Sequence, residues 1–260
     1  MNFDHATFRN MKQLCRATLL IVLTGLCVGD QAFAQRRSAE WIRKLEDSQY
    51  PEYRLDAKNE IARYSKYDFS DAIKPQSEFL GFIEPNYQRL KVYFAHISKS
   101  KNDPRKYLVK GATAVLNNRC DFTGSISLTE VREYHSVHFG VDDEYKSQGI
   151  RKQGVAIGRF RLEEDPKQKH VGVFEGTMLL YWYLDRAGKL KYDDIELGAD
   201  GYRNNQYVSI WTQYGSKKGT QANWGEYRIP LSGDLDMGDG EFSVNPKYLD
   251  NGWRDYKPLQ

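Results

Sequence analysis

Three of the five histidines in this 260-residue chain stand where a strand pattern lets them work: His96, His135 and His138. His96 closes the apolar alternation Leu90, Val92, Phe94, so it is a candidate acid/base group inside a cavity; the plainer alternative is a strand-end histidine. His135 and His138 precede Asp142-Asp143-Glu144, and imidazoles beside carboxylates suit proton transfer or a divalent ion. Residues three apart on a strand point to opposite faces, so a shared ion needs a turn between them. These histidines are therefore carried as acid/base candidates, and no metal or cofactor is expected. Asp193-Asp194 before Glu196 is a further acid pair, read as a solvated hairpin because Lys189 and Lys191 adjoin it. Asp234 to Glu241 resembles a calcium loop, but Gly238 stands at a ligand position and Asn245 at the place of the closing glutamate. A polar turn is the reading carried forward there. No Ser-His-Asp, Gly-x-Ser-x-Gly, Walker or dinucleotide pattern occurs at a useful place.

Rings are the stronger hint. Trp182, Trp211, Trp224 and Trp253 are four of the five tryptophans, and all lie in the last third of the chain. Flat amphipathic rings stack on sugar faces or cup apolar ligands. Trp182 shares a strand face with Met178 and Leu180 and reads as core, whereas Trp211 and Trp224 have polar neighbours at two-residue spacing. Trp211, Trp224 and Tyr227 are the ligand-binding candidates.

The elements that must position these groups are strands. Ala156, Gly158, Phe160 and Leu162 alternate on one face, as do Phe174, Gly176, Met178, Leu180 and Trp182, and a period of two persists from residue 75 almost to the end. About ten strands in sequence, joined by short turns such as the one at Asn117-Asn118, predict an antiparallel meander. Phe122-Thr-Gly-Ser-Ile-Ser-Leu128 and Phe174-Glu-Gly-Thr-Met-Leu-Leu180 share glycines on their apolar face, which bending a sheet into a barrel or flattened barrel requires. Before residue 75 the period is helical: Ser38 is a possible N-cap, Trp41, Ile42 and Leu45 form an apolar stripe, and short helices follow near residues 56–64 and 68–73. The expectation is a mainly β domain over 75–260 with a helical extension over 35–74.

Residues 1–34 read as a signal peptide: Arg9, Lys12 and Arg16 precede an apolar run from Ala17 to Val28, and Ala32-Phe-Ala34 offers a cleavage site. Met11 is an alternative start. The apolar run is too short to span a membrane, and Leu26 argues against a lipid on Cys27, so the product is expected to be exported, periplasmic or extracellular. Without Arg9, Lys12, Arg16, Asp4 and Asp30 the chain keeps 35 basic and 33 acidic residues, no electrostatic footprint for nucleic acid. Cys120 is then the lone cysteine, which rules out an internal disulfide and reads as a small buried residue.

Leu80-Gly-Phe-Ile-Glu-Pro-Asn-Tyr87, Val109-Lys-Gly111, Asn117-Asn-Arg-Cys-Asp-Phe-Thr-Gly124, Asn223-Trp-Gly-Glu-Tyr-Arg228 and Gly240-Glu-Phe242 resemble an uncharacterised family of exported Bacteroidota-type β-barrel proteins, over about residues 76 to 256. The resemblance implies an exported barrel and no particular activity. A looser likeness is to lipocalin and avidin-type barrels, although Gly81-Phe82-Ile83 replaces the lipocalin Gly-x-Trp.

Three functions stay open at this level. The first is a barrel binding a small-molecule, glycan or lipid-like ligand through its late aromatics. The second is a lyase, isomerase or hydrolase using a histidine and a carboxylate. The third is a structural or assembly partner at the cell envelope.

Overall fold

The computed structural model describes residues 36–45 and 53–257. The signal-peptide reading concerns residues outside that range. Nine antiparallel strands form one sheet: β1 (Phe79–Ile83), β2 (Gln88–Lys99), β3 (Lys106–Val115), β4 (Asn118–Glu133), β5 (Lys152–Glu164), β6 (Gly172–Leu184), β7 (Leu190–Tyr192), β8 (Asn204–Gln213) and β9 (Gly219–Glu226). Eight close into a barrel in the order β5-β4-β3-β2-β1-β9-β8-β6, with β6 returning to β5. β7 is the extra strand: it pairs with Trp182–Leu184 of β6, beyond the stretch that β8 covers.

Nine strands among the described residues meet the expected count of about ten, and β4 runs unbroken over Asn118–Glu133. A register shift between Leu128 and Glu130 lets β4 change phase without ending. The β3–β4 turn also moves by one residue: Val115 pairs with Asn118, and Leu116, at φ 51°, takes the left-handed position foreseen for asparagine.

Closure follows from the placement of large and absent side chains. Across neighbouring strands Trp224 pairs with Gly81, Phe122 with Gly111, Phe160 with Gly176, Met178 with Gly158, and Trp182 with Gly154. Eight strands leave an interior just wide enough for side chains, so a ring fits only where its neighbour has none. A Cβ on Gly176 would lie 2.1 Å from the Val208 carbonyl oxygen, which makes that position obligatory in the tight wall.

The lumen is filled. Tyr207 stacks on Trp224 with ring centroids 4.9 Å apart and planes 12° apart, and Phe160 and Phe174 meet Trp224 edge-on. Two one-turn helices, α2 (Ile61–Tyr64) and α3 (Ser70–Ile73), cap one end by inserting Tyr64 and Phe69 against Trp182. Buried Glu133 fastens α2, accepting from the Tyr64 hydroxyl at 2.6 Å and from Arg63 and Lys152. Glu226 fastens the next segment, accepting from the backbone N–H of Gln76 and Ser77 and from the Asn205 amide.

The first helix, α1 (residues 36–45), lies on the outer wall, with Trp41 packed among Val155, Ile157, Leu179 and Val208. Ser38, expected as its N-cap, is inside the helix and buried, because the helix already runs at residue 36. Among the described residues no helix is long and apolar enough to cross a membrane.

Candidate functional site

A cleft of about 380 Å³ opens on the outside of the barrel, where β5 begins and β6 ends. In β5 the residues alternating with lumenal Gly154 and Ala156 face outward, which places Gln153 at the cleft; in β6 the same alternation turns Tyr181 out as Trp182 turns in. Tyr134 leaves the end of β4, its N–H held by the Gln153 carbonyl and its backbone bridged to Leu55. The segment between β7 and β8 closes the far side with Asp193, Glu196, Tyr202 and Arg203.

Gln153 ties the two covering loops together. Its side-chain oxygen accepts from the His138 backbone N–H at 2.5 Å, and its amide donates to Asp193 Oδ2 at 3.4 Å. Asp193 Oδ1 accepts from the Ile195 N–H at 3.2 Å, while the Asp193 carbonyl receives the Tyr202 hydroxyl at 2.5 Å and the Asn204 amide at 3.0 Å. Burial, with Asp194 and Glu196 nearby, pushes the Asp193 carboxyl up to about 7, against the donors at Ile195 and Gln153. Burial likewise raises Glu196, although it accepts from the Tyr53 hydroxyl and the Gly140 N–H. Two carboxyls are thus held toward their protonated, hydrogen-donating form beside a wall of phenol rings.

Those rings come from four separate stretches: Tyr53, Tyr134, Tyr181 and Tyr202. Tyr53 stacks on the His138 imidazole at 4.1 Å, and Tyr134 meets that imidazole edge-on at 4.9 Å. Arg203 donates to the Tyr181 hydroxyl. Chemically the cleft offers flat faces for stacking and a polar floor for hydrogen bonding. A smaller groove of about 240 Å³ between α1 and the outer wall is lined by Arg37, Ser38, Glu175, Ser209 and Thr212 among others, with Phe160 its one aromatic ring.

The residues singled out from the sequence are dispersed. Trp224 lies in the core, fully buried, not on a ligand-facing wall; its polar neighbour Glu226 is itself buried, which made an inner face resemble a surface one. Trp211 is half-buried at the barrel end opposite the helical cap, donating from Nε1 to Glu164 at 3.0 Å. Tyr227 packs edge-on behind Tyr202 at 4.9 Å, so it supports a cleft wall without lining the cleft.

His96 is exposed on the outer surface: a bulge between Phe94 and His96 breaks the alternation, and Ile97 takes the inward place. His135 is exposed and pairs with Asp56 at 3.2 Å, whereas His138 is buried at the cleft. The pair Asp193-Asp194 is not the solvated hairpin foreseen, since Asp193 is 7% exposed.

Protein donors occupy the acidic turn near the C-terminus. Arg228 grips Asp236 with Nε and Nη2 and reaches the carbonyls of Asp239 and Gly240, and Lys247 and Tyr248 engage Asp234. Among the described residues no three histidine, cysteine, aspartate or glutamate side chains converge as metal ligands. Cys120 is buried, and that burial pushes its thiol up, away from reactivity.

The tyrosines escaped notice because they are scattered over 150 residues of sequence, and only Asp193, following the buried Leu190 and Tyr192, carried a local signal. No family model, no curated protein and no solved structure matches this chain.

Proposed function

We propose that the protein is an exported ligand-binding barrel whose site is the tyrosine-walled cleft on the outer wall, and that the ligand is a glycan segment. The observation that carries the reading is the convergence of four tyrosines and two buried or half-buried carboxyls on one cavity, in a molecule whose lumen is packed with its own rings. A polar floor favours a polyhydroxylated ligand over the lipid-like alternative, because apolar chains leave buried carboxyls without partners. Export rests on the N-terminal residue pattern, and the resemblance to exported Bacteroidota-type barrels points the same way.

The test is a thermal-shift and calorimetric comparison of oligosaccharides and fatty acids on the wild type and on Tyr181→Ala. A ligand at a hundred times its dissociation constant stabilises by about 2.7 kcal/mol, a shift that the cleft variant should lose and Trp211→Phe should keep. A response that survives Tyr181→Ala unchanged places the site elsewhere and sinks the proposal.

One observation favours an enzyme in the same cleft: the Asp193 carboxyl, pushed up to about 7 by burial, lines the cavity together with His138. Under that reading Asp193→Asn abolishes conversion of a bound neutral oligosaccharide while leaving its affinity.

A further inference from the structure

Resting on the reading of the cleft as a glycan site, we infer that the sugar it takes carries a protonated amine. Three carboxyls line the cavity. Asp193, Glu196 and Asp200 all face it, and among the described residues none of the three forms an ion pair. Two other carboxylates are answered by a cation of the protein itself. Glu133 meets Lys152 at 2.5 Å and Asp236 meets Arg228 at 2.8 Å. Glu164 accepts from Thr113, the Gly172 N–H and Trp211, and Glu226 from two backbone N–H groups and the Asn205 amide. Among the described residues, Asp193 is answered by neutral donors, the Ile195 N–H and the Gln153 amide, and Glu196 by the Tyr53 hydroxyl and the Gly140 N–H, and both carboxyls open onto a cavity. Arg203, the guanidinium in its lining, keeps its charge but directs donors to the Tyr181 hydroxyl and the Gly201 carbonyl, and among the described residues forms no salt bridge with these carboxyls.

The walls select for the same ligand. Phenol rings present a negative face, and a cation near several such faces is attracted as well as desolvated. An ammonium on a sugar ring would lie against the Asp193–Glu196 side while the ring's flat face meets a tyrosine. It would also favour the ionised form of Asp193, which burial now disfavours. A neutral sugar has no such effect.

The experiment compares two probes of one length, a glucosamine tetramer and an N-acetylglucosamine tetramer, by calorimetry on the mature protein. At about 50 mM salt the amine form should bind about tenfold more tightly, and the preference should shrink severalfold at about 500 mM. Asp193→Asn should abolish the preference; Glu196→Gln is the second variant should the first fail to fold, and it should reduce the preference. Equal affinity for both probes, lost in Tyr181→Ala, overturns the amine inference and leaves the glycan reading standing. A preference that persists in both carboxyl variants also overturns the inference. If neither probe nor any other glycan binds, both readings fall together.

Discussion

Asp193 shows how much a single buried carboxyl can report. Its folded value of about 7 lies above the 3.8 of an unburied aspartate, so the folded state holds its proton more tightly than the unfolded chain does. The sign follows from linkage: the contribution is intact below the unfolded value and is lost as pH rises through the folded one. Asp193→Asn keeps an acceptor for the Ile195 N–H and carries no charge to bury. Calorimetric melting should therefore show the variant more stable than wild type at pH 8, by roughly a few degrees, and close to it at pH 4. A wild-type advantage at pH 8 would mean that Asp193 is ionised and paired in the folded protein. His96 teaches the complementary lesson, since its exposure was decided by a bulge at its own strand position and not by its type.

At the scale of elements, strand and turn chemistry was largely legible. The alternation in β5 and β6 was read correctly because the middle of the lumen is packed with rings and aliphatic side chains, so the inward residues from Gly154 to Leu162 and from Gly172 to Leu184 are apolar or glycine. Two bulges defeated it, because an inserted residue changes the face of everything that follows without altering composition. Glu226 defeated it differently: a carboxylate satisfied by backbone donors looks in sequence like a solvent-facing one. The glycine opposite Phe160 gives this scale its prediction. Gly176→Val forces a branched side chain against the Val208 carbonyl and the Ser209 backbone, and it should destabilise by about 1–3 kcal/mol in urea unfolding. A neutral result would mean that the wall is slack at this strand.

The whole molecule separates two kinds of aromatic cluster, one that holds the barrel and one that faces outward. Trp224→Ala removes a ring packed on Tyr207, Phe160 and Phe174, and should cost about 3–5 kcal/mol in chemical denaturation without changing ligand affinity in the surviving folded fraction. Tyr181→Ala, at a half-buried outer position, should do the reverse and lose affinity at little cost in stability. If the tryptophan variant alone loses the ligand, the lumen is the site after all.

Sequence alone determined the bent antiparallel meander, its helical prelude and the inward strip of β5 and β6, because periodicity and glycine placement are local properties that one stretch of chain displays by itself, whereas closure into a barrel waited on the β5–β6 pairing. Only the tertiary structure assembled the tyrosine-walled cleft. Tyr53, Tyr134, Tyr181 and Tyr202 become neighbours through barrel closure and the two loops that Gln153 joins, and no spacing along the chain encodes that meeting. Burial of Asp193 has the same origin: a carboxyl acquires its proton affinity from what surrounds it, and those surroundings arrive from distant strands.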